Sequence, residues 1–179
     1  MVLAVGVGAV VLMFVRGMPE QKAGGYPTYE EEDFQISVER MESLITERTK
    51  ALVINSPSNP TGNCLTVETM EKIAAIAEKY DLVVIADDIY TAFSYQDPFV
   101  PFASLPGMKE RTIILNSFSK NFTMTGWRLG YTGSSVEIAK LMSSVQSHAT
   151  SNPNSIAQKA AVEALNGPQD TVAEMREAF

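Results

Sequence analysis

The sequence predicts an α/β protein with a mainly parallel sheet covered by helices. Short apolar runs, 50–55 and 82–86, flank a longer segment with helical periodicity. Strands that are apolar on both faces and separated by a helix are typical of a parallel sheet buried under helices. Polar clusters follow these runs, and ligands of such sheets bind beyond the carboxyl ends of the strands. We therefore expect a ligand site at that edge.

The chain begins with an apolar stretch, Met1 to Val15, which Arg16 interrupts. It is shorter than the roughly 20 residues that span a bilayer. It also lacks the leading positive charge and the small-residue cleavage site of a signal peptide. We interpret it as a buried strand or an irregular chain end, and we expect no membrane association.

The first strand of the predicted sheet is Lys50 to Asn55, which runs into the turn-forming string SPSNPTG. Further strands are predicted at Leu82–Ala86, Arg111–Leu115 and Leu129–Thr132. All are short and bounded by polar or turn-forming residues, as expected of strands.

Helices are predicted between and after these strands. The segment from Thr66 to Tyr80 has Thr66 as its N-cap, and residues 135–179 read as two or three helices broken near 151–154 and 166–168. The first of these helices carries one apolar face at spacings of three and four, formed by Val67, Met70, Ile73, Ala74, Ala77 and Tyr80.

Composition and charge exclude several classes of function. The chain has 179 residues, a net charge of −7 and a sequence pI near 4.8. A nucleic-acid binder would carry a clustered basic face, and no run of Lys or Arg occurs. A single cysteine and a single histidine, Cys64 and His148, exclude an internal disulfide and a metal site built on thiolates or imidazoles. We expect a cytoplasmic protein.

Each polar cluster is ambiguous when taken alone. The string Asn59 to Gly62 could be an ordinary turn. Asp87 and Asp88 could cap a following helix, and Tyr90 could be a core residue. Lys120 at the end of SFSK could be a solvated side chain. The order and spacing of the clusters are more informative, because several linked motifs rarely match by accident.

Three segments occur in the order SPSNPTG, ADDIY and SFSKNFTMTGWRLGY. In that order they resemble the motifs of the class I/II aminotransferases of the aspartate aminotransferase fold, and the similarity runs from about Ala23 to the end of the chain. The resemblance implies that 23–179 is part of the pyridoxal-phosphate-binding large domain, whereas 1–22 is an end of uncertain structure. Relatives also carry an N-terminal arm, a glycine-rich phosphate helix, an aromatic residue on the cofactor ring and a small domain with a carboxylate-binding arginine. This chain does not match those parts, and Arg176 comes too early to be that arginine.

The resemblance implies pyridoxal 5'-phosphate as cofactor and assigns roles around its ring. Lys120 would bind the cofactor aldehyde covalently and then carry a proton to and from the substrate α-carbon. Asp87 would pair with the protonated ring nitrogen. Tyr90 and Asn59 would donate hydrogen bonds to the ring oxygen. Lys120, Asp87 and Tyr90 are therefore the predicted catalytic residues.

The resemblance also implies a phosphate site made of Ser117, Ser119 and Arg128. A planar guanidinium suits a phosphate better than an ammonium does, and one well-placed arginine can bind an anion on an acidic protein. Trp127, next to Arg128, is expected to pack rather than to stack on a ligand. His148 and Cys64 are expected to have surface and structural roles.

Transfer of an amino group between an amino acid and a 2-oxo acid is the reaction that the resemblance implies, by a protein that is a homodimer when intact. The chain alone is expected to be inactive. A carbon–sulfur β-lyase on the same fold and cofactor is the alternative. Two other classes are less compatible with the sequence. The β-lactamase group would use Ser117 and Lys120 but also needs Ser-Asp-Asn and Lys-Thr-Gly, and a nucleotide-binding loop at Gly6 and Gly8 would need a third glycine where Val11 stands.

Overall fold

A computed structural model describes residues 10–14, 24–95 and 98–178, with the backbone alone described for 10–14 and 24–25. The described strands form one six-stranded sheet in the order β2-β1-β3-β4-β5-β6. Their bounds are β1 Val10–Phe14, β2 Gly24–Gly25, β3 Thr49–Asn55, β4 Val83–Asp87, β5 Thr112–Ser117 and β6 Gly130–Gly133.

The centre of the sheet is parallel, which confirms the predicted α/β class. Strands β3, β4 and β5 run in the same direction, and helices connect or flank them. The outer pairings, β1 with β2, β1 with β3 and β5 with β6, are antiparallel. Antiparallel edge strands on a parallel sheet are common in α/β folds. Strand β1 confirms a strand within the apolar N-terminal stretch, whereas 1–9 and 15–23 lie outside the described residues.

Strand β6 begins one residue later than predicted and lies close to β5. Gly130 pairs with Ser117, and a Cβ at Gly130 would come within 2.7 Å of the Asn116 carbonyl oxygen. No other residue fits at that approach without a backbone shift. The short connection from 118 to 129 thus returns the chain directly beside β5, and this connection contains Lys120 and Arg128.

The α-helices are α1 Val38–Ser43, α2 Val67–Lys79, α3 Phe118–Asn121, α4 Val136–Ala149, α5 Ser155–Asn166 and α6 Asp170–Ala178. Short 3-10 turns occur at Glu30–Glu32, Thr91–Phe93, Phe102–Ser104 and Thr125–Trp127. The predicted breaks near 151–154 and 166–168 are confirmed. Within the described residues, no helix is long and apolar enough to span a bilayer.

Helix α2 begins at the predicted N-cap, where the Thr66 hydroxyl accepts from the Thr69 amide at 3.1 Å. Its inner face joins the main core of the sheet, which includes Leu52 and Val84. The predicted face is wrong at both ends, because Val67 and Tyr80 are 45% and 38% exposed. The Tyr80 hydroxyl instead donates to Glu42 of α1 at 3.0 Å. The buried residues of α2 are Met70, Ile73, Ala74, Ile76 and Ala77.

A second, smaller core lies under the C-terminal helices and supports α3. Phe118 is 2% exposed and packs with Leu129 and with Ala157 and Ala161 of α5. Its ring lies 5.5 Å from that of Phe122 and 5.4 Å from that of Tyr131. The residue two positions before Lys120 is therefore fixed in a core, so the backbone that carries the lysine is fixed as well.

Candidate active site

Polar side chains from three segments lie at the carboxyl edge of β3, β4 and β5. Asp87 is the last residue of β4 and pairs with Asn55 of β3 and Leu115 of β5. The Asn55 side-chain amide donates through Nδ2 to the Asp87 backbone carbonyl oxygen at 3.3 Å. Its Oδ1 atom accepts from the backbone N–H of Asn59 at 2.9 Å. Asn55 therefore ties the loop that carries Asn59 to the end of β4.

The Asp87 carboxylate is buried and incompletely paired. Its side chain is 5% exposed, and its Oδ1 atom has no hydrogen-bond partner among the described residues. Burial raises the pKa of Asp87, partly offset by a hydrogen bond from the Ile89 backbone. An unpaired buried carboxylate oxygen is costly unless a donor or a cation reaches it. The geometry at this edge therefore suits a ligand that brings a positively charged N–H group.

Asp88 is a second buried carboxyl next to the first. It is 6% exposed, and its pKa is raised to about 7 by burial and by the negative charge of Asp87. On β6, the pKa of Tyr131 is raised by the burial of its own side chain and, to a lesser extent, by the nearby charge of Asp88. The alternative role in which these aspartates cap a helix is wrong, since the next element is a short 3-10 turn after Tyr90 with no side-chain cap.

The titration of Asp88 leads to a stability prediction. In the unfolded chain the carboxyl loses its proton near its ordinary pKa of 3.8, whereas the folded chain holds that proton up to about pH 7. The free energy of unfolding therefore has its full value, as far as Asp88 is concerned, below about pH 4. It decreases by about 2–4 kcal/mol as the pH rises to 7. Asp88→Asn removes this decrease. The free energy of unfolding is measured with urea at pH 4 to 8. The difference between Asp88→Asn and the parent should widen as the pH rises, while the exposed control Asp33→Asn should follow the parent. A difference that stays constant with pH would contradict the burial of Asp88.

Tyr90 connects the loop after β3 to the lysine of α3. The Asn59 amide donates to the Tyr90 hydroxyl at 2.9 Å, and the Lys120 ammonium lies 5.6 Å from the centre of the Tyr90 ring. Tyr90 is half-buried, whereas Asn59 and Lys120 are exposed. The fixed aromatic ring thus lies between two side chains that are open to a ligand.

Lys120 lies on the short helix α3, whose N-cap is Ser117. The Ser117 hydroxyl accepts from the Ser119 amide at 3.1 Å and donates to the Leu129 carbonyl oxygen at 3.4 Å. Ser117 therefore holds the start of α3 and the residue next to Arg128 together. Both serines are half-buried at the end of β5.

Arg128 has left-handed backbone geometry, with φ 52°, directly after the 3-10 turn Thr125–Trp127. Its guanidinium donates to the Thr125 carbonyl oxygen at 3.1 Å. It borders a cavity of about 550 Å³ with Trp127 and with Asn154, the N-cap of α5. Trp127 is 46% exposed at this cavity, and its packing role stays a prediction. The Arg128 side chain is exposed and thus accessible to an anion.

Two other side chains of the sequence analysis lie away from this edge. His148 is exposed in the last turn of α4, where its Nδ1 lies 2.8 Å from the Ser144 carbonyl oxygen, as expected for a surface residue. Cys64 is half-buried, and its thiol lies 3.9 Å from the Ser94 hydroxyl. Neither is part of the cluster around Asp87 and Lys120.

Comparison with known proteins identifies the family. Residues 22–179 match the family described as "Aminotransferase class I and II". The chain belongs to this family. Members of the aminotransferase class I and II family use pyridoxal phosphate.

Relatives of known name are aminotransferases as well. The chain is 47% identical over 169 residues to an aspartate aminotransferase of Bacillus subtilis, which covers 90% of this chain and 43% of the relative. It is 45% identical over 152 residues to an aspartate/prephenate aminotransferase of Nitrosomonas europaea, which covers 83% of this chain and 38% of the relative. The chain thus spans about two fifths of the length of the curated relatives that it matches.

Solved structures show the same fold. The aromatic aminotransferase from Pyrococcus horikoshii superposes with a TM-score of 0.80 at 44% identity, over 84% of this chain and 41% of that one. The Thermus thermophilus aspartate aminotransferase with maleate superposes with a TM-score of 0.78 at 39% identity, over 84% of this chain and 39% of that one.

The residues present fit the cofactor of the aminotransferase class I and II family. The unpaired Oδ1 atom of Asp87 matches the need for an acceptor at a protonated ring nitrogen. The exposed amine of Lys120 can react with an aldehyde, and the Tyr90 hydroxyl with the Asn59 amide can reach a ring oxygen. Donors suited to a phosphate are available from Ser117, Ser119 and Arg128. The site is assembled on loops beyond the strand ends, as expected for this type of sheet.

Proposed function

We propose that this chain is part of a pyridoxal-phosphate-dependent aminotransferase that moves an amino group between an amino acid and a 2-oxo acid. The family and the relatives named as aspartate or aspartate/prephenate aminotransferases support this reaction. They give no support to the carbon–sulfur β-lyase alternative. The single observation that carries the proposal is the buried, unpaired carboxylate oxygen of Asp87 at the same sheet edge as Tyr90 and Lys120.

When bound, pyridoxal phosphate supplies an electron sink for the negative charge that forms on the substrate α-carbon. The Asp87 carboxylate would pair with the protonated ring nitrogen and hold its proton, and the burial of the pair would strengthen that interaction. This electrostatic effect is preorganised, because Asn55 and the strand pairing fix the end of β4.

Lys120 has two roles in this proposal. Its amine would hold the cofactor aldehyde covalently, and it would carry a proton from and to the α-carbon of a bound substrate. The Tyr90 ring below the amine limits the directions in which the long side chain can move. Tyr90 and Asn59 would donate to the ring oxygen, and Ser117, Ser119 and Arg128 would donate to the phosphate.

We also propose that residues 23–179 form part of the large cofactor-binding domain of a cytoplasmic homodimer. The lone Cys64 supports a reducing compartment. Exposed apolar side chains on α4 and α5 support burial of these helices against further protein, since large exposed apolar patches are uncommon on monomers. These side chains, 50–71% exposed, are Val136, Leu141, Val145, Ile156, Val162 and Leu165.

Transfer of labelled nitrogen tests the proposed reaction. The longer protein containing this chain is incubated with pyridoxal phosphate, a panel of 15N-labelled amino acids and 2-oxo acids. We expect labelled nitrogen in the amino acid formed from the 2-oxo acid, and none with Lys120→Ala. Release of sulfide or ammonia without labelled product would contradict transamination and favour a lyase.

The 179 residues alone are expected to capture the cofactor slowly and to catalyse no turnover. Catalytic groups must be held within roughly half an ångström, and Asn59, Lys120 and Arg128 are exposed to solvent here. A single-turnover assay of the purified chain with saturating cofactor checks this, with Lys120→Ala as control. Formation of 2-oxo acid well above the control would show that these 179 residues suffice.

A further inference from the structure

Helix α6 lies against segment 91–95, which directly follows Tyr90 in the chain. The Arg176 guanidinium donates to the Ser94 carbonyl oxygen at 2.7 Å, and its carbon lies 5.5 Å from the centre of the Tyr95 ring. The Tyr95 hydroxyl donates back to the Arg176 carbonyl oxygen at 3.4 Å. A hydrogen bond from a charged donor together with stacking on an aromatic ring uses the planar geometry specific to arginine.

The contact is close to the lysine. A cavity of about 20 Å³, room for no more than about one water molecule, lies between α6, α3 and the segment 91–95. It is too small for a substrate, so α6 packs at this point rather than forming a binding pocket. Besides Arg176, the residues that line the cavity include Phe93, Lys120, Asn121 and Met175.

The segment held by Arg176 determines the position of Tyr90. The Phe93 amide donates to the Tyr90 carbonyl oxygen at 2.8 Å, and their ring centres lie 6.4 Å apart. On the other side, the Asn121 amide donates to the Thr91 hydroxyl at 3.4 Å, directly after Lys120. A short chain of contacts thus connects Arg176 through 91–95 to Tyr90 and to α3.

We propose that Arg176 is a positioning residue that keeps the Tyr90 ring in place beside the Lys120 amine by fixing segment 91–95 to α6. The inference rests on the proposed function for its catalytic meaning, although the contact itself does not depend on a cofactor. Because Arg176 lies on α6 and contacts segment 91–95, a shift of this helix would also change the positions of Tyr90 and Lys120.

The test compares Arg176→Ala with Glu177→Ala, an exposed neighbour on the same helix, in the 179-residue chain without cofactor. Hydrogen exchange is measured at the amides of Phe93 and Ser94, which bond to Tyr90 and Thr91. Arg176→Ala should accelerate exchange there about tenfold, the size of one charge-assisted hydrogen bond. Modification of Lys120 by acetic anhydride, relative to Lys140, should become about threefold faster, the size of one exposed cation–π contact.

Arg176→Lys should restore part of both effects, since an ammonium can donate to the Ser94 carbonyl oxygen but cannot stack on Tyr95 as a planar group. Rates in Arg176→Ala equal to those in Glu177→Ala would overturn the proposal. Faster exchange along all of α4 to α6 with a lowered Tm would also overturn it, because Arg176 would then only stabilise the fold.

A second arm separates this inference from the proposed function. Each chain is incubated with pyridoxal phosphate, reduced with borohydride and mapped by mass spectrometry. The labelled fraction of Lys120 should be lower in Arg176→Ala than in Glu177→Ala. No label on Lys120 in the unsubstituted chain would count against the proposed function, while the cofactor-free arm would still decide the role of Arg176. Equal labelled fractions in both variants would count against the positioning role.

Discussion

Replacing Lys120 by alanine in the longer protein is expected to reduce kcat/KM by about 10⁴-fold or more, because in the proposed mechanism this one side chain would supply both the covalent attachment and the proton transfer. No other described lysine contacts Tyr90 in the structure. Lys120→Arg keeps a positive charge near the ring but cannot react with an aldehyde, so it should lose nearly as much activity. The measurement is steady-state transamination with saturating cofactor.

Lys140→Ala on α4 is the matched control, since this exposed lysine lies outside the cluster at the sheet edge. It should retain the activity of the parent. Comparable activity in Lys120→Arg and the parent would mean that the charge at position 120 matters and its nucleophilicity does not, which would contradict the proposed chemistry.

Asp87→Asn is expected to retain cofactor but to lower kcat/KM by about 10³-fold, or about 4 kcal/mol of transition-state stabilisation. The amide is nearly isosteric and keeps the strand end intact, but it carries no charge to hold the ring nitrogen protonated. The effect falls on the transition state rather than on binding, since the negative charge to be delocalised exists only there.

Asp88→Asn provides the comparison within the same motif. This carboxyl is equally buried, but it holds a proton up to about pH 7. Neutralising it should therefore cost far less activity, within about tenfold. Equal losses, or a larger loss at Asp88, would mean that the two aspartates have been assigned in the wrong register.

The central part of the fold was predictable because its strands and first long helix carry clear local patterns. The runs that form β3, β4 and β5 are short, apolar and closed by polar residues, and α2 has its N-cap and periodicity in the sequence. The ends of α2 were mispredicted, because apolar periodicity does not reveal where a helix extends beyond the sheet; Tyr80 finds a polar partner in Glu42 instead. The direction of the outer strands β1 and β6 depends on pairing across the sheet and not on local sequence.

The site could be predicted as far as its residues stand in recognisable motifs. The structure brings Asn59, Tyr90 and Lys120 together. It places Asp87 at the end of β4, where it pairs with Asn55 of β3. Asn55 was missed as a link between β3 and β4, although a lone polar residue ending an apolar strand was a usable signal. The burial of Asp88 and the contact of Arg176 with Ser94 depend on packing over long sequence separations, which single-sequence patterns do not contain.

The lysine that binds the cofactor can be located by chemical labelling. The longer protein, incubated with pyridoxal phosphate, is reduced with borohydride, digested and mapped by mass spectrometry. We expect a stable label on the peptide containing Lys120, which is lost in Lys120→Ala and kept in Lys140→Ala. A label on another lysine while Lys120 remains unmodified would contradict the assignment of this site.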